Sequence, residues 1–205
     1  MKRPGEPVLS FGGFPGRRVL FGEKTMTWIQ TFTGRKFSLT DPQPEDVCIE
    51  DIAHALANVC RFGGHCRGHY SVAQHSVHVA DIVAEDFKLD AILHDAGEAY
   101  YGDITRPQKI LLRGMTTRIG GICDFQIFID RIDCAIAEHF GIPSTLPQAV
   151  CHADTVMLAT EARDLLTEPP LPWEPLPCPL PHTVTPWPRD ESYAQFVRIF
   201  RENER

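Results

Sequence analysis

From residue 50 to residue 166 the apolar residues recur at three- and four-residue spacing, which leaves little room for a sheet. Residues 50–61 put Ile52, Ala55, Leu56 and Val59 on one helical face, and residues 70–84 do the same with Val72, Val79, Ile82 and Val83 behind a Ser71 cap. Residues 89–100 carry Leu89, Ile92, Leu93 and Ala96. Pro107 suits the first turn of a short helix through residue 112. A long amphipathic run over 119–140 ends at Gly141, a good helix stop, and further helices are expected over 147–166 and about 191–201. The one strand signal is a short hairpin near 27–39. The pattern predicts an all-α, single-domain helical bundle with one core, and 205 residues suit one domain.

Two stretches break the periodicity. Residues 1–25 hold Lys2, Arg3, Arg17, Arg18 and Lys24 against Glu6 and Glu23, with five glycines and three prolines. They read as a flexible basic extension, and the domain proper as 26–205. Nine of the 17 prolines fall in 168–188, which predicts an extended surface segment, with Trp173, Leu176, Leu180 and Trp187 packing on the domain. The chain's net charge of −7 divides into +3 on the extension and −10 on the rest. An acidic body argues against duplex nucleic acid as a partner. No apolar run approaches a membrane span, and no secretory signal is evident.

The seven cysteines form no Cys-x-x-Cys pair, so reduced thiols in a cytoplasmic protein are expected. The histidines cluster instead: six of nine lie between His54 and His94. His75 has Val72, Val79 and Ile82 as helical neighbours and so points to the core. Alone, it reads as a buried neutral histidine. His94, Asp95 and Glu98 share one side of a helix next to its apolar stripe. Asp154 sits among Val150, Cys151, Met157 and Leu158, where an unpaired carboxylate costs several kcal/mol. Glu161 follows on the same stripe, too far along for the same ion, and reads as an arginine partner. Two histidines and two aspartates from three helices suit a divalent ion of borderline hardness. His65, Arg67 and His69 make a basic loop where a polyanion, or only solvent, is held.

The set His75, His94-Asp95, Asp154 resembles the H…HD…D signature of the HD-domain metal-dependent phosphohydrolases. The run HDAGEAYYGDITRPQK from His94, and RFGGHCRGHYSVAQHS from Arg61, resemble the 5′-deoxynucleotidase branch and the related phage-type dATP triphosphohydrolases. The likeness spans roughly residues 26–166. It implies an HD-type bundle with the metal site in its core, His75, His94, Asp95 and Asp154 as ligands, and Glu98 as the acid/base for the attacking water. It further implies that Asp103 contacts the water or sugar, Arg61 and Lys109 hold phosphate, and Phe62 lies against the ribose, favouring deoxynucleotides.

The implied activity is hydrolysis at the 5′-phosphorus by metal-activated water, either as a monophosphate nucleotidase or as a triphosphohydrolase. The implied cofactor is one divalent transition metal (Co, Mn, Zn, Fe or Ni), with Mg entering alongside a triphosphate. A small nucleotide is the expected partner. The amphipathic face of 119–140 serves either the core or a second copy, and a homo-oligomer is expected. Two other readings stand beside this one: a non-catalytic nucleotide sensor with a relic site, and an alarmone hydrolase.

Overall fold

The computed structural model describes residues 8–9, 19–20, 27–117 and 124–204. Of the expected basic extension, only an antiparallel pair of two-residue strands, β1 (Val8–Leu9) and β2 (Val19–Leu20), lies within the described residues. The hairpin expected near 27–39 is β3 (Trp28–Gln30) against β4 (Lys36–Ser38), with Ile29 opposite Phe37. Phe37 is fully buried, and its ring stacks on Tyr100 at 3.6 Å. The hairpin turn is held by Asp51, a buried residue of α1 (Ile49–Asn58) that accepts from the Thr33 amide at 2.6 Å and the Thr33 hydroxyl at 2.9 Å.

Helix α1 ends three residues before the expected boundary. Val59 and Cys60 turn extended and pair with the returning chain, as Cys60 bridges to Ser71 and Val72 N donates to Val59 O. A loop over 61–70 is thereby closed at its neck, where Arg61 N donates to Tyr70 O. Ser71 then caps α2 (Val72–Ile82), its hydroxyl accepting from the Gln74 amide as expected.

The single helix expected over 89–100 is two helices, α3 (Lys88–Leu93) and α4 (Glu98–Tyr101), joined by a turn over 94–97. The backbone there tightens to bonds three residues apart, such as Ala96 N to Leu93 O and Glu98 N to Asp95 O. His94 contributes to the break, because its own ring takes the Ala91 carbonyl at 2.7 Å. Gly97 leaves no room for a side chain in this turn as it stands: a Cβ there would meet Asp133 Oδ1 and the Tyr101 hydroxyl, and those side chains would have to move.

Thr105 precedes α5 (Arg106–Thr117), and the Gln108 side-chain oxygen reaches back to accept from both its amide and its hydroxyl. The expected helix over 119–140 is described as α6 (Asp124–Phe140), closed by Gly141 at φ +63°; residues 118–123 lie outside the described residues. Helices α7 (Gln148–Leu165) and α8 (Arg189–Asn203) match the expected runs within two residues at each end. Helix α2 lies at the centre, packed by α1, α3, α7 and α8. Ile52, Leu56, Val79, Ile92, Ile132, Met157 and Phe196 fill the space between. The architecture is mostly helical, as expected. No helix among the described residues is long and apolar enough to cross a membrane.

The proline-rich segment is irregular and divides into two halves. Its first half is exposed: Leu171 keeps 75% and Trp173 46% of its surface, so Trp173 does not pack on the domain as expected. Its second half is fastened by side chains of α2 and α7. The fully buried Gln74 donates to Thr185 O at 2.8 Å and accepts from Trp187 N at 2.9 Å. Thr160 accepts from Leu180 N, Asp164 accepts from Val184 N, and Arg163 donates to the Leu180 and His182 carbonyls.

Candidate metal centre

Three elements bring four expected ligands together: α2 supplies His75, the turn after α3 supplies His94 and Asp95, and α7 supplies Asp154. His75 is fully buried, as its apolar neighbours predict. Its Nε2 lies 3.3 Å from His94 Nε2, 3.2 Å from Asp154 Oδ1 and 3.7 Å from Asp95 Oδ2. His94 Nε2 lies 3.2 Å from Asp95 Oδ2. One ligand atom each from His75, His94 and Asp95 falls within 4.8 Å of the others, a spacing that can hold a metal ion. Asp154 differs from expectation in one respect. Its side chain keeps 44% exposure, so it forms the open side of the cluster rather than a buried one.

The other nitrogen of each ring is committed. His75 Nδ1 lies 2.6 Å from Glu161 Oε1, and His94 Nδ1 lies 2.7 Å from Ala91 O. An ionised carboxylate and a carbonyl only accept, so each Nδ1 carries hydrogen and each neutral ring presents a lone pair at Nε2. Two lone pairs facing each other beside two carboxylates repel unless a cation lies among them. Without metal, a proton serves. Burial disfavours a charged His94, but Asp95, followed by Asp154, outweighs burial and pushes this histidine up to about 9.

The charge balance points the same way. Burial opposes ionisation of Asp95, Asp154 and Glu161, but the neighbouring histidines and Arg61 hold all three below the usual carboxylate range. Set against the Arg61 guanidinium, these three carboxylates leave two uncompensated negative charges when the rings are neutral. A divalent ion matches that deficit, and imidazole with carboxylate suits a first-row transition metal.

Glu161 was legible as an arginine partner, since it shares the stripe with Asp154. Its wider role was not. It is fully buried and accepts from Arg61 Nε at 3.1 Å, Tyr70 OH at 2.9 Å and His75 Nδ1. Arg61 also reaches Asp95 with Nη1 at 3.5 Å, and its guanidinium lies 5.5 Å from the Phe62 ring centre. Phe62 adopts φ +57°, a left-handed conformation rare outside glycine, in line with Gly63 and Gly64. Arg61 is thus committed first to carboxylates, and Phe62 to the face of Arg61.

Glu98 keeps 3% exposure. Its Oε1 lies 3.4 Å from Lys109 Nζ on α5, and its Oε2 is buried with no hydrogen-bond partner among the described residues. Burial, reinforced by the charge of Asp95, pushes this carboxyl up to about 9. Asp103 accepts from Gly63 N at 3.0 Å and ties the 61–70 loop to the turn before α5. His65, Arg67 and His69 are exposed on that loop, and no described side-chain bond joins them to the cluster. The His69 ring instead bonds Ala57 O, and the Arg67 amide donates to Leu165 O. Sequence reasoning also missed Asp133, a neighbour of Tyr101 that burial and then Asp95 push up to about 6.

No protein-family model matches the chain. A search of curated proteins finds a relative in Escherichia coli K12, the uncharacterized protein YfdR, 37% identical over 180 residues, covering 86% of this chain and 96% of that protein. An uncharacterized protein of Rhodobacter capsulatus is 36% identical over 151 residues, covering 67% of this chain and 72% of its own length. With the match running along nearly all of the first relative, the chain belongs to the family of the Escherichia coli protein YfdR.

Proposed function

We propose that this protein is a metal-dependent phosphohydrolase of the HD type that removes phosphate from nucleotides or deoxynucleotides. The observation that supports this reading is the cluster of His75, His94, Asp95 and Asp154, short of two positive charges, next to a buried Glu98 with one unpartnered oxygen. When bound, a divalent ion would polarise a phosphoryl oxygen and make water acidic enough to attack. Glu161 and the Ala91 carbonyl fix both imidazoles with Nε2 facing inward. Asp154, on the open side, leaves an approach for substrate.

Glu98 serves as acid/base. Its Oε1 accepts from Lys109, so the proton it holds at neutral pH resides on Oε2. Any cation placed by Asp95 lowers the affinity of Glu98 for that proton, since the carboxyl is held up by burial and by Asp95. Glu98 can then take a proton from water and return it to the leaving oxygen. The Lys109 ammonium, 31% exposed, is placed to meet a phosphate arriving over Glu98.

The deciding experiment incubates the protein with dAMP, dATP and ATP in Mn²⁺ or Co²⁺ and identifies the products. Hydrolysis is expected, and Asp95→Ala is expected to reduce it by more than about a hundredfold, beyond the usual loss for an outer-shell partner. No turnover of any phosphate ester or anhydride by the wild type, or full activity in Asp95→Ala, defeats the reading.

A further inference from the structure

Cys60 and Cys66 flank the first part of the loop that carries Arg61. Their sulfurs lie 3.6 Å apart, and both residues are half-buried. Neither takes part in the proposed chemistry. Of the other described cysteines, Cys48 is buried against Glu50, and Cys134, Cys151 and Cys178 are exposed. A disulfide needs its sulfurs at about 2.05 Å, so the pair has about 1.5 Å left to close. The surrounding backbone is already fastened. Cys60 bridges to Ser71, Arg61 N donates to Tyr70 O, and Arg67 N donates to Leu165 O.

We propose that Cys60 and Cys66 form an oxidative modification site, a thiol pair converted to a disulfide by a small disulfide such as oxidised glutathione. The Cys66 sulfur lies 3.4 Å from the Gly68 carbonyl and 3.6 Å from that of Arg61, either of which can accept its one hydrogen, and burial pushes it up, so it rests as a thiol. Cys60 is the attacking group. Its thiolate displaces one small thiolate from the reagent and forms a mixed disulfide. The Cys66 sulfur, losing its proton, then attacks the Cys60 sulfur and displaces the second small thiolate. Two protein thiols are oxidised by two electrons, the reagent is reduced to two thiols, and these take up the two protons.

Closure encloses residues 61–65, which include Arg61, Phe62 and Gly63. Through them the clip reaches Glu161 and Asp95, contacts of Arg61, and Asp103, the acceptor for Gly63 N. The clip is independent of whether the cluster binds metal or turns over substrate.

The test treats the full-length folded protein with excess glutathione disulfide at pH 8 and maps the cysteines by mass. The expected product is a peptide with Cys60 and Cys66 joined, two hydrogens lighter and restored by reductant, while Cys151 accumulates as a mixed disulfide. Cys60→Ser and Cys66→Ser must each abolish the lighter species. Amide exchange over residues 61–65 must slow on oxidation, which a bond formed only in unfolded molecules would not produce. The proposal is overturned if both thiols stay open to alkylation while Cys151 reacts. It is equally overturned if mixed disulfides persist at either cysteine without closing, or if closure needs denaturant.

Discussion

Glu161 shows how one side chain can set the state of a site it does not line. Its two oxygens receive Arg61, Tyr70 and His75, and the last contact fixes which nitrogen of His75 faces the cluster. Glu161→Gln keeps the shape but loses the charge and brings an amide toward Arg61. Calorimetric titration with Mn²⁺ is expected to show affinity about 10–100-fold weaker, the usual loss for an outer-shell partner of a metal-bound histidine. Glu161→Ala leaves the nearly buried guanidinium with only its longer contact to Asp95 and should cost about 3–5 kcal/mol in chemical denaturation. Sequence reading reached part of this: the stripe from Asp154 to Glu161 and the inward face of His75 both follow from helical period. The bond between Glu161 and His75 depends on how α7 crosses α2, which no local pattern encodes.

Among the elements, helix existence was legible because apolar spacing and caps agree, as at Ser71 and Gly141. Two features were not legible. The turn between α3 and α4 breaks a sequence with unbroken helical period, because the His94 ring competes for the Ala91 carbonyl. The proline-rich segment was readable as extended, but its fastening by Gln74 was not, since a glutamine on an apolar face has no fixed partner in sequence. Gln74→Leu removes two bonds to the segment and leaves Thr185 O and Trp187 N unpaired. The expected loss is about 2 kcal/mol in denaturant titration, with faster hydrogen exchange at Val184 and Trp187 and little change in α1.

Across the whole molecule, the cluster ties stability to pH. Without metal, the fold holds His94 at about 9 against an ordinary 6.5, and Glu98 at about 9 against 4.5. The unfolded chain therefore binds fewer protons than the native protein through this range, and stability falls as pH rises. The melting temperature of metal-free protein is expected to drop between pH 6.5 and 9. A metal ion replaces the His94 proton, so its binding should tighten over the same interval, by up to about tenfold per pH unit. Thermal melts with Mn²⁺ and with chelator should diverge as pH rises; curves that stay parallel would show that the ion does not compete with the His94 proton. The bundle class was legible from period alone. The charge deficit was not, because it emerges only when residues from distant segments meet.

Helix α8 makes the centre depend on a part of the chain remote from it in sequence. It buries Phe196, Val197, Ile199 and Phe200 against α1, α2 and α3, and two of those helices lead directly to His75 and His94. The groups proposed to bind metal lie no later than residue 154, yet the core beside them is completed by a helix that begins at Arg189. Without α8 the carboxylates and imidazoles would lose the packing that holds their helices in place. A chain stopped before residue 189 is therefore expected to lose the fixed spacing of the cluster while keeping every one of its proposed ligands.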